Sequence, residues 1–196
     1  MGGRSLNRAV FLDRDGVLNA NVLNPATGCW ESPHHPDDFR LHAGVLEALC
    51  RLQGAGYVLV VVSNQPSYAK GKTSLENIRA VAAKLEQAMT QEGIVIARYC
   101  YCLHHPRGIV PEYAIQCSCR KPSPYFLLEA ARDFDLDPAE SWMVGDRASD
   151  VACGLAAGVK TILVRPDHPD ADVGAISPDF VADNLADAAE IILSRT

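Results

Sequence analysis

The run Ala9-Val10-Phe11-Leu12 is wholly apolar and then breaks into Asp13-Arg14-Asp15-Gly16. This junction constrains the fold of the chain more than any other feature. If residues 9–13 form a buried strand, both carboxylates emerge at its C-terminal end, where open α/β sheets bind ligands. Acids at i and i+2 there can share a metal ion and a phosphate. Asp13 could attack phosphorus while Asp15 carries the proton. Asp-x-Asp-Gly is also good turn chemistry, so the motif alone leaves turn and site both open.

The rest of the pattern supports a strand. Strand-like runs at 9–13, 57–62, 95–101, 141–144 and 160–164 alternate with helical segments. Residues 44–53 place Val45, Leu46, Leu49 and Leu52 on one face, and Gly54 ends them. A longer helix is expected over 74–91, with Thr73 and Glu76 as a capping box and Gly93 as its stop. Ser123-Pro124 should open the next helix as N-cap and N1, followed by helices over 149–157 and 185–194. Alternating strands and helices require right-handed crossovers. The expected fold is therefore α/β: a Rossmann-like three-layer α/β/α sandwich with a mainly parallel sheet. The 196 residues are expected to form one domain, 1–196. Two long loops, 19–40 and 102–119, stand out, and long ordered loops usually serve function. Neither holds a second domain, so no cap domain is expected.

Composition excludes several functions. A net charge of -6 argues against a nucleic-acid binder that relies on bulk positive charge. No stretch approaches the ~20 consecutive apolar residues of a membrane span. Arg8, Asp13, Arg14 and Asp15 interrupt any signal-peptide core near the start. A cytoplasmic monomer acting on a small molecule is expected, with no nucleic acid and no membrane partner. In that compartment the seven cysteines should stay out of disulfides.

Two further signals sit at predicted strand ends, and a third precedes a helix. Ser63-Asn64 offers a hydroxyl and an amide to phosphate oxygens, although both residue types also suit turns. Gly145-Asp146 leads to Asp150 four residues later, on the same face of a helix start, where acids also serve as caps. Lys121 precedes Pro122 and could supply positive charge or simply be solvated. In a parallel sheet the first, second and fourth strands point their C-terminal ends at one rim, so Asp13, Asp15, Ser63 and Asp146 converge. Carboxylates so placed repel one another unless a cation is present, and hard oxygen ligands favour Mg²⁺.

Asp13-Arg14-Asp15-Gly16, Ser63-Asn64, Lys121 and Gly145-Asp146-x3-Asp150 resemble, in order and across essentially the whole chain, the four motifs of the haloacid-dehalogenase superfamily of phosphotransferases. The resemblance implies that Asp13 is a nucleophile forming an aspartyl phosphate. It implies that Asp15 protonates the leaving oxygen and then activates water. Ser63 and the Asn64 backbone would hold the phosphoryl group, and Lys121 would neutralise it. Asp13, the Asp15 carbonyl and Asp146 would bind Mg²⁺, with Asp150 in support.

Cys102-Leu103-His104, a twelve-residue gap and Cys117-Ser118-Cys119 supply four soft ligands in two close pairs. That set suits a closed tetrahedral Zn²⁺ site, a structural clamp for loop 102–119. His105 is a spare possible ligand, and Cys100 is expected to face the core. The loop is similar to that of the D-glycero-D-manno-heptose 1,7-bisphosphate 7-phosphatases, and histidinol-phosphate phosphatases carry a generally shorter one. The expected activity is thus Mg-dependent hydrolysis of a phosphorylated sugar, with the heptose bisphosphate 7-phosphate first. Histidinol phosphate or other sugar phosphates are the alternatives, and a non-catalytic zinc-stabilised interaction domain is the alternative of another class. Lys70, Arg107 and Arg120 are candidates for a second, remote phosphate. Ser63-Asn64-Gln65-Pro66-Ser67-Tyr68-Ala69-Lys70-Gly71 departs from the family's Thr-Asn-Gln-Ser-Gly-Ile-Ala-Arg-Gly. Pro66 removes a backbone donor, Tyr68 adds bulk that could touch substrate, and Lys70 lacks the arginine fork. In loop 19–40, Cys29, Trp30, His34 and His35 could reshape the mouth of the site.

Overall fold

The computed structural model describes residues 6–25, 27–166, 168 and 174–195. In chain order the elements are β1 (Ala9–Leu12), β2 (Val22–Asn24), β3 (Cys29–Glu31), α1 (Val45–Gly54), β4 (Val58–Asn64), α2 (Leu75–Gln91), β5 (Ile96–Cys102), α3 (Tyr125–Asp133), β6 (Trp142–Gly145), α4 (Ala148–Ala157), β7 (Lys160–Val164), β8 (Phe180–Ala182) and α5 (Leu185–Leu193). Six strands form a parallel sheet in the order β5-β4-β1-β6-β7-β8. β1 is central and buried along its whole length, as the apolar run requires of a strand covered on both faces.

Alternation along β1 divides the core in two. Val10 and Leu12 join Leu49 of α1, Leu85 of α2 and Ile192 of α5 on one face. Ala9 and Phe11 join Leu127 of α3 and Cys153 of α4 on the other, with Cys100 among them. The sheet is thus the middle of three layers. Among the described residues no helix is long and apolar enough to cross a membrane.

Several local expectations shift. β4 continues through Ser63 and Asn64 because β5 keeps pairing with it, Ser63 opposite Tyr101 and Asn64 opposite Cys102. Ser74, not Thr73, caps α2: its Oγ accepts from the Asn77 N–H at 3.1 Å, while Thr73 Oγ1 donates to His34 O at 2.7 Å. α3 starts at Tyr125, with Pro124 in the cap position and Ser123 Oγ accepting weakly from Tyr125 N–H at 3.4 Å. Loop 19–40 is structured in its described residues. It contains the antiparallel hairpin β2–β3, with Leu23 opposite Trp30, and a 3-10 turn at Pro36–Asp38. β8 had no sequence signal, being three residues long with only Ala182 buried.

Candidate active site

Parallel register sets the site. Leu12 lies beside Val61 of β4 and Val144 of β6, and the Asp13 N–H donates to Val144 O at 2.9 Å. Asp13 therefore leaves the sheet on the same rim as Ser63 and Asp146. A cleft of about 270 Å³ opens there, with Asp13, Asp15, Ser63, Lys121 and Asp150 in its walls.

Lys121 is the electrostatic centre of this rim. Its buried ammonium donates to Asp13 Oδ1 at 2.7 Å and to Val62 O at 2.6 Å, and pairs with Asp150 Oδ1 at 2.6 Å. Burial alone would push this ammonium down, but Asp13 and Asp150 outweigh it and hold Lys121 above the usual range. The Asn64 side chain fixes the lysine's backbone, donating from Nδ2 to Lys121 O at 3.1 Å and accepting the Lys121 N–H at 3.0 Å. Of the Asn64 polar groups expected to face phosphate, the side-chain amide is therefore committed elsewhere.

Asp146 is fully buried, and neither carboxylate oxygen has a hydrogen-bond partner. Burial first, then repulsion from Asp13 and Asp150, pushes its carboxyl up to about 8. Arg147 Nε stands 3.9 Å from one oxygen, too far for a hydrogen bond. Carboxylate oxygens of Asp13, Asp146 and Asp150 lie within 4.8 Å of one another. A buried, unpartnered carboxylate among other acids fits a hard divalent cation. Two glycines permit the approach. A Cβ on Gly16, whose φ is +87°, would sit 2.2 Å from Asp146 Oδ2, and one on Gly145 would sit 2.2 Å from Asp150 Cβ.

Asp15 is held by residues outside the predicted site positions, Arg14, Asn19 and Gln65. Its oxygens accept from Arg14 Nη2 at 2.9 and 3.1 Å, Asn19 Nδ2 at 2.9 Å and Gln65 Nε2 at 2.5 Å. Gln65 Nε2 also donates to Ser63 Oγ at 3.0 Å, and Gln65 Oε1 accepts from Arg14 Nη2 at 2.8 Å. The signal was present in the adjacency of Arg14 to Asp15 and of Gln65 to Asn64. An arginine inside an apolar neighbourhood requires a buried acid.

Cys102, His104, Cys117 and Cys119 converge as expected. Sulfur pairs stand 3.5 Å apart (Cys102–Cys117 and Cys117–Cys119), and His104 Nδ1 lies 3.7 Å from Cys119 Sγ and 4.0 Å from Cys102 Sγ. Tetrahedral zinc has ligand–ligand edges of roughly 3.5–3.8 Å, so these four residues could hold one. His105 is not part of the cluster; its Nδ1 accepts the Arg107 N–H at 3.1 Å.

The remote candidates separate. Lys70 and Arg120 line the cleft, whereas Arg107 is exposed and outside its wall. Burial first, then Lys72, Arg120 and Arg107, pushes the Lys70 ammonium down. Opposite stands the β2–β3 hairpin, which brings Cys29, Trp30 and Glu31 to the wall. The hairpin is tied to residues 66–72 by a Glu31–Lys72 ion pair and by His34 Nε2 at 3.1 Å from Ser67 Oγ. His35 instead caps the 3-10 turn, accepting the Asp37 N–H at 3.3 Å.

Comparison with known proteins agrees with this geometry. The sequence profile described as HAD-hyrolase-like matches residues 118–188. The D-glycero-beta-D-manno-heptose-1,7-bisphosphate 7-phosphatase of Yersinia pestis is 35% identical over 188 residues, covering 95% of this chain and 96% of that protein. The enzyme of the same name from Vibrio cholerae is 38% identical over 187 residues, covering 94% and 96%. A solved structure, the D,D-heptose 1,7-bisphosphate phosphatase of B. bronchiseptica complexed with magnesium and phosphate, superposes with a TM-score of 0.78. It is 28% identical, and the match covers 96% of this chain and 99% of that one.

Proposed function

Because the chain belongs to the D-glycero-beta-D-manno-heptose-1,7-bisphosphate 7-phosphatase family of haloacid-dehalogenase-like hydrolases, we propose that it removes the 7-phosphate of that sugar bisphosphate in heptose precursor synthesis for cell-surface glycans such as lipopolysaccharide. The enzyme is a phosphoric monoester hydrolase. One observation carries the reading to chemistry: a buried lysine bridges Asp13 and Asp150 beside a buried Asp146 carboxylate without a hydrogen-bond partner.

In the proposed reaction an Asp13 oxygen attacks phosphorus, and the bond from phosphorus to the sugar oxygen breaks. Asp15 gives its proton to that leaving oxygen. Water then attacks the aspartyl phosphate, Asp15 takes a proton from it, and phosphate departs with Asp13 restored. Arg14, Asn19 and Gln65 fix the direction of Asp15. Ser63 Oγ and the Asn64 backbone offer donors to the phosphoryl oxygens, and Lys121 offsets their charge. Mg²⁺ held by Asp13, the Asp15 carbonyl and Asp146, with Asp150 behind them, would stabilise the negative charge that develops in transfer. Zn²⁺ on Cys102, His104, Cys117 and Cys119 would be structural, with every coordination position filled.

In this reading the substrate is the phosphorylated sugar of the relatives, and Lys70 and Arg120, which line the cleft, offer charge to its second phosphate. Phosphate release from the heptose 1,7-bisphosphate (both anomers), histidinol phosphate and hexose phosphates, with and without Mg²⁺, tests it. The heptose bisphosphate should give the highest kcat/KM and require the metal. A preference for histidinol phosphate would overturn the substrate.

A further inference from the structure

Tyr68 departs from the family pattern, and its bulk was expected near substrate. The structure places it elsewhere. Its ring meets Tyr113 of loop 102–119 edge to face, with centroids 5.0 Å apart at 86°. On Tyr113 the His104 ring stacks, at 5.9 Å and 28°. The neighbouring residue is clamped too: Ala69 is fully buried, and its carbonyl accepts the Ile109 N–H at 2.7 Å and the Val110 N–H at 3.2 Å. Gly108 permits that contact, since a Cβ there would stand 2.8 Å from Ala69 O.

The clamped segment presents Lys70. Its own turn is closed by Lys70 N–H to Pro66 O at 2.9 Å and Gly71 N–H to Tyr68 O at 2.8 Å. Lys70 reaches the cleft near Arg120, and burial first, then Lys72, Arg120 and Arg107, pushes its ammonium down. Repulsion among these cations works against keeping Lys70 at the cleft, and outside the turn the Ala69 carbonyl contacts and the Tyr68–Tyr113 pair hold it.

We propose that Tyr113 and Tyr68 are positioning residues that couple the four-ligand Cys/His loop to the 66–71 turn, so that the ordered loop sets where Lys70 meets the remote phosphate of the substrate. The role of Lys70 rests on the function proposed above, whereas the coupling does not. Neither tyrosine lines the cleft. Their effect falls on affinity and not on the chemical step.

The test uses the zinc-loaded enzyme with Tyr113→Leu, Tyr68→Leu and Tyr113→Phe, each checked for bound zinc. Tyr113→Leu and Tyr68→Leu should raise KM for the heptose bisphosphate roughly three- to tenfold, the range lost with an aromatic pair, and leave kcat unchanged. Tyr113→Phe keeps the ring and should behave as wild type. Hydrogen exchange at the amides of residues 70–72 should speed up in the two leucine variants with zinc still bound. Exchange at wild-type rates in the leucine variants would overturn the coupling, and a fall in kcat at constant KM would overturn its effect on affinity. Lys70→Ala separates the two ideas: faster exchange in Tyr113→Leu beside an unchanged KM in Lys70→Ala would remove the phosphate role and keep the coupling.

Discussion

Replacing Asp146 by asparagine should stabilise the magnesium-free protein at neutral pH and abolish its stabilisation by magnesium. Burial first, then Asp13 and Asp150, pushes the wild-type carboxyl up to about 8 in the folded chain, against an ordinary 3.8. The native state therefore holds a proton that the unfolded state releases. The contribution of this group is fully favourable below about pH 4 and declines as pH rises towards about 8. Each pH unit in that window costs about 1.4 kcal/mol, so the ceiling at pH 7 is on the order of 4 kcal/mol. Burial raises the neighbouring Asp150 as well, so the two acids share this cost, and about 2 kcal/mol is the expected net figure. Asparagine carries no charge to desolvate, and its amide can donate to the neighbouring acids. For a chain of this length about 2 kcal/mol moves Tm by roughly 4–8 °C. The assay is thermal unfolding from pH 4.5 to 7.5 in magnesium-free buffer with zinc retained, then with magnesium restored. Wild type should lose stability relative to Asp146→Asn as pH rises, and magnesium should raise Tm for wild type alone. A variant less stable than wild type throughout, and still stabilised by magnesium, would refute the reasoning.

Three other substitutions probe the same account. Asp13→Asn should lower turnover by roughly 10⁴-fold or more while circular dichroism and Tm stay near wild type; substantial residual activity would remove the nucleophile. Lys121→Met leaves two buried carboxylates without their cation, and should cost about 3–5 kcal/mol in urea unfolding as well as activity. Cys117→Ser should lower bound zinc, measured by atomic emission, and drop Tm by roughly 5 °C or more; unchanged metal stoichiometry would count against the clamp.

What was legible in the sequence follows from where the information lies. Asp13, Ser63, Asp146 and the four zinc candidates were readable because strand ends and ligand spacing are local features, and the parallel sheet then brings them together. The clamp on Asp15 was harder: Gln65 is fifty residues away in sequence, and its part depends on the register of β4 against β1. The helix cap went to Ser74 because a tertiary contact from Thr73 to His34 O decided between two adjacent hydroxyls. The β2–β3 hairpin is not legible in the sequence because each strand has only three residues, too few to show alternation. Tyr68 could touch substrate on sequence alone, and its contact with Tyr113 was hidden because a sequence does not reveal the path of loop 102–119.

Following the two phosphorus resonances of the heptose 1,7-bisphosphate by ³¹P NMR tests the central claim most directly. With magnesium, the 7-phosphate signal should vanish, inorganic phosphate should rise in equal amount and the 1-phosphate should persist; without magnesium, or with Asp13→Asn, the spectrum should not change. Loss of the 1-phosphate first, or hydrolysis by the Asp13→Asn protein, would contradict it.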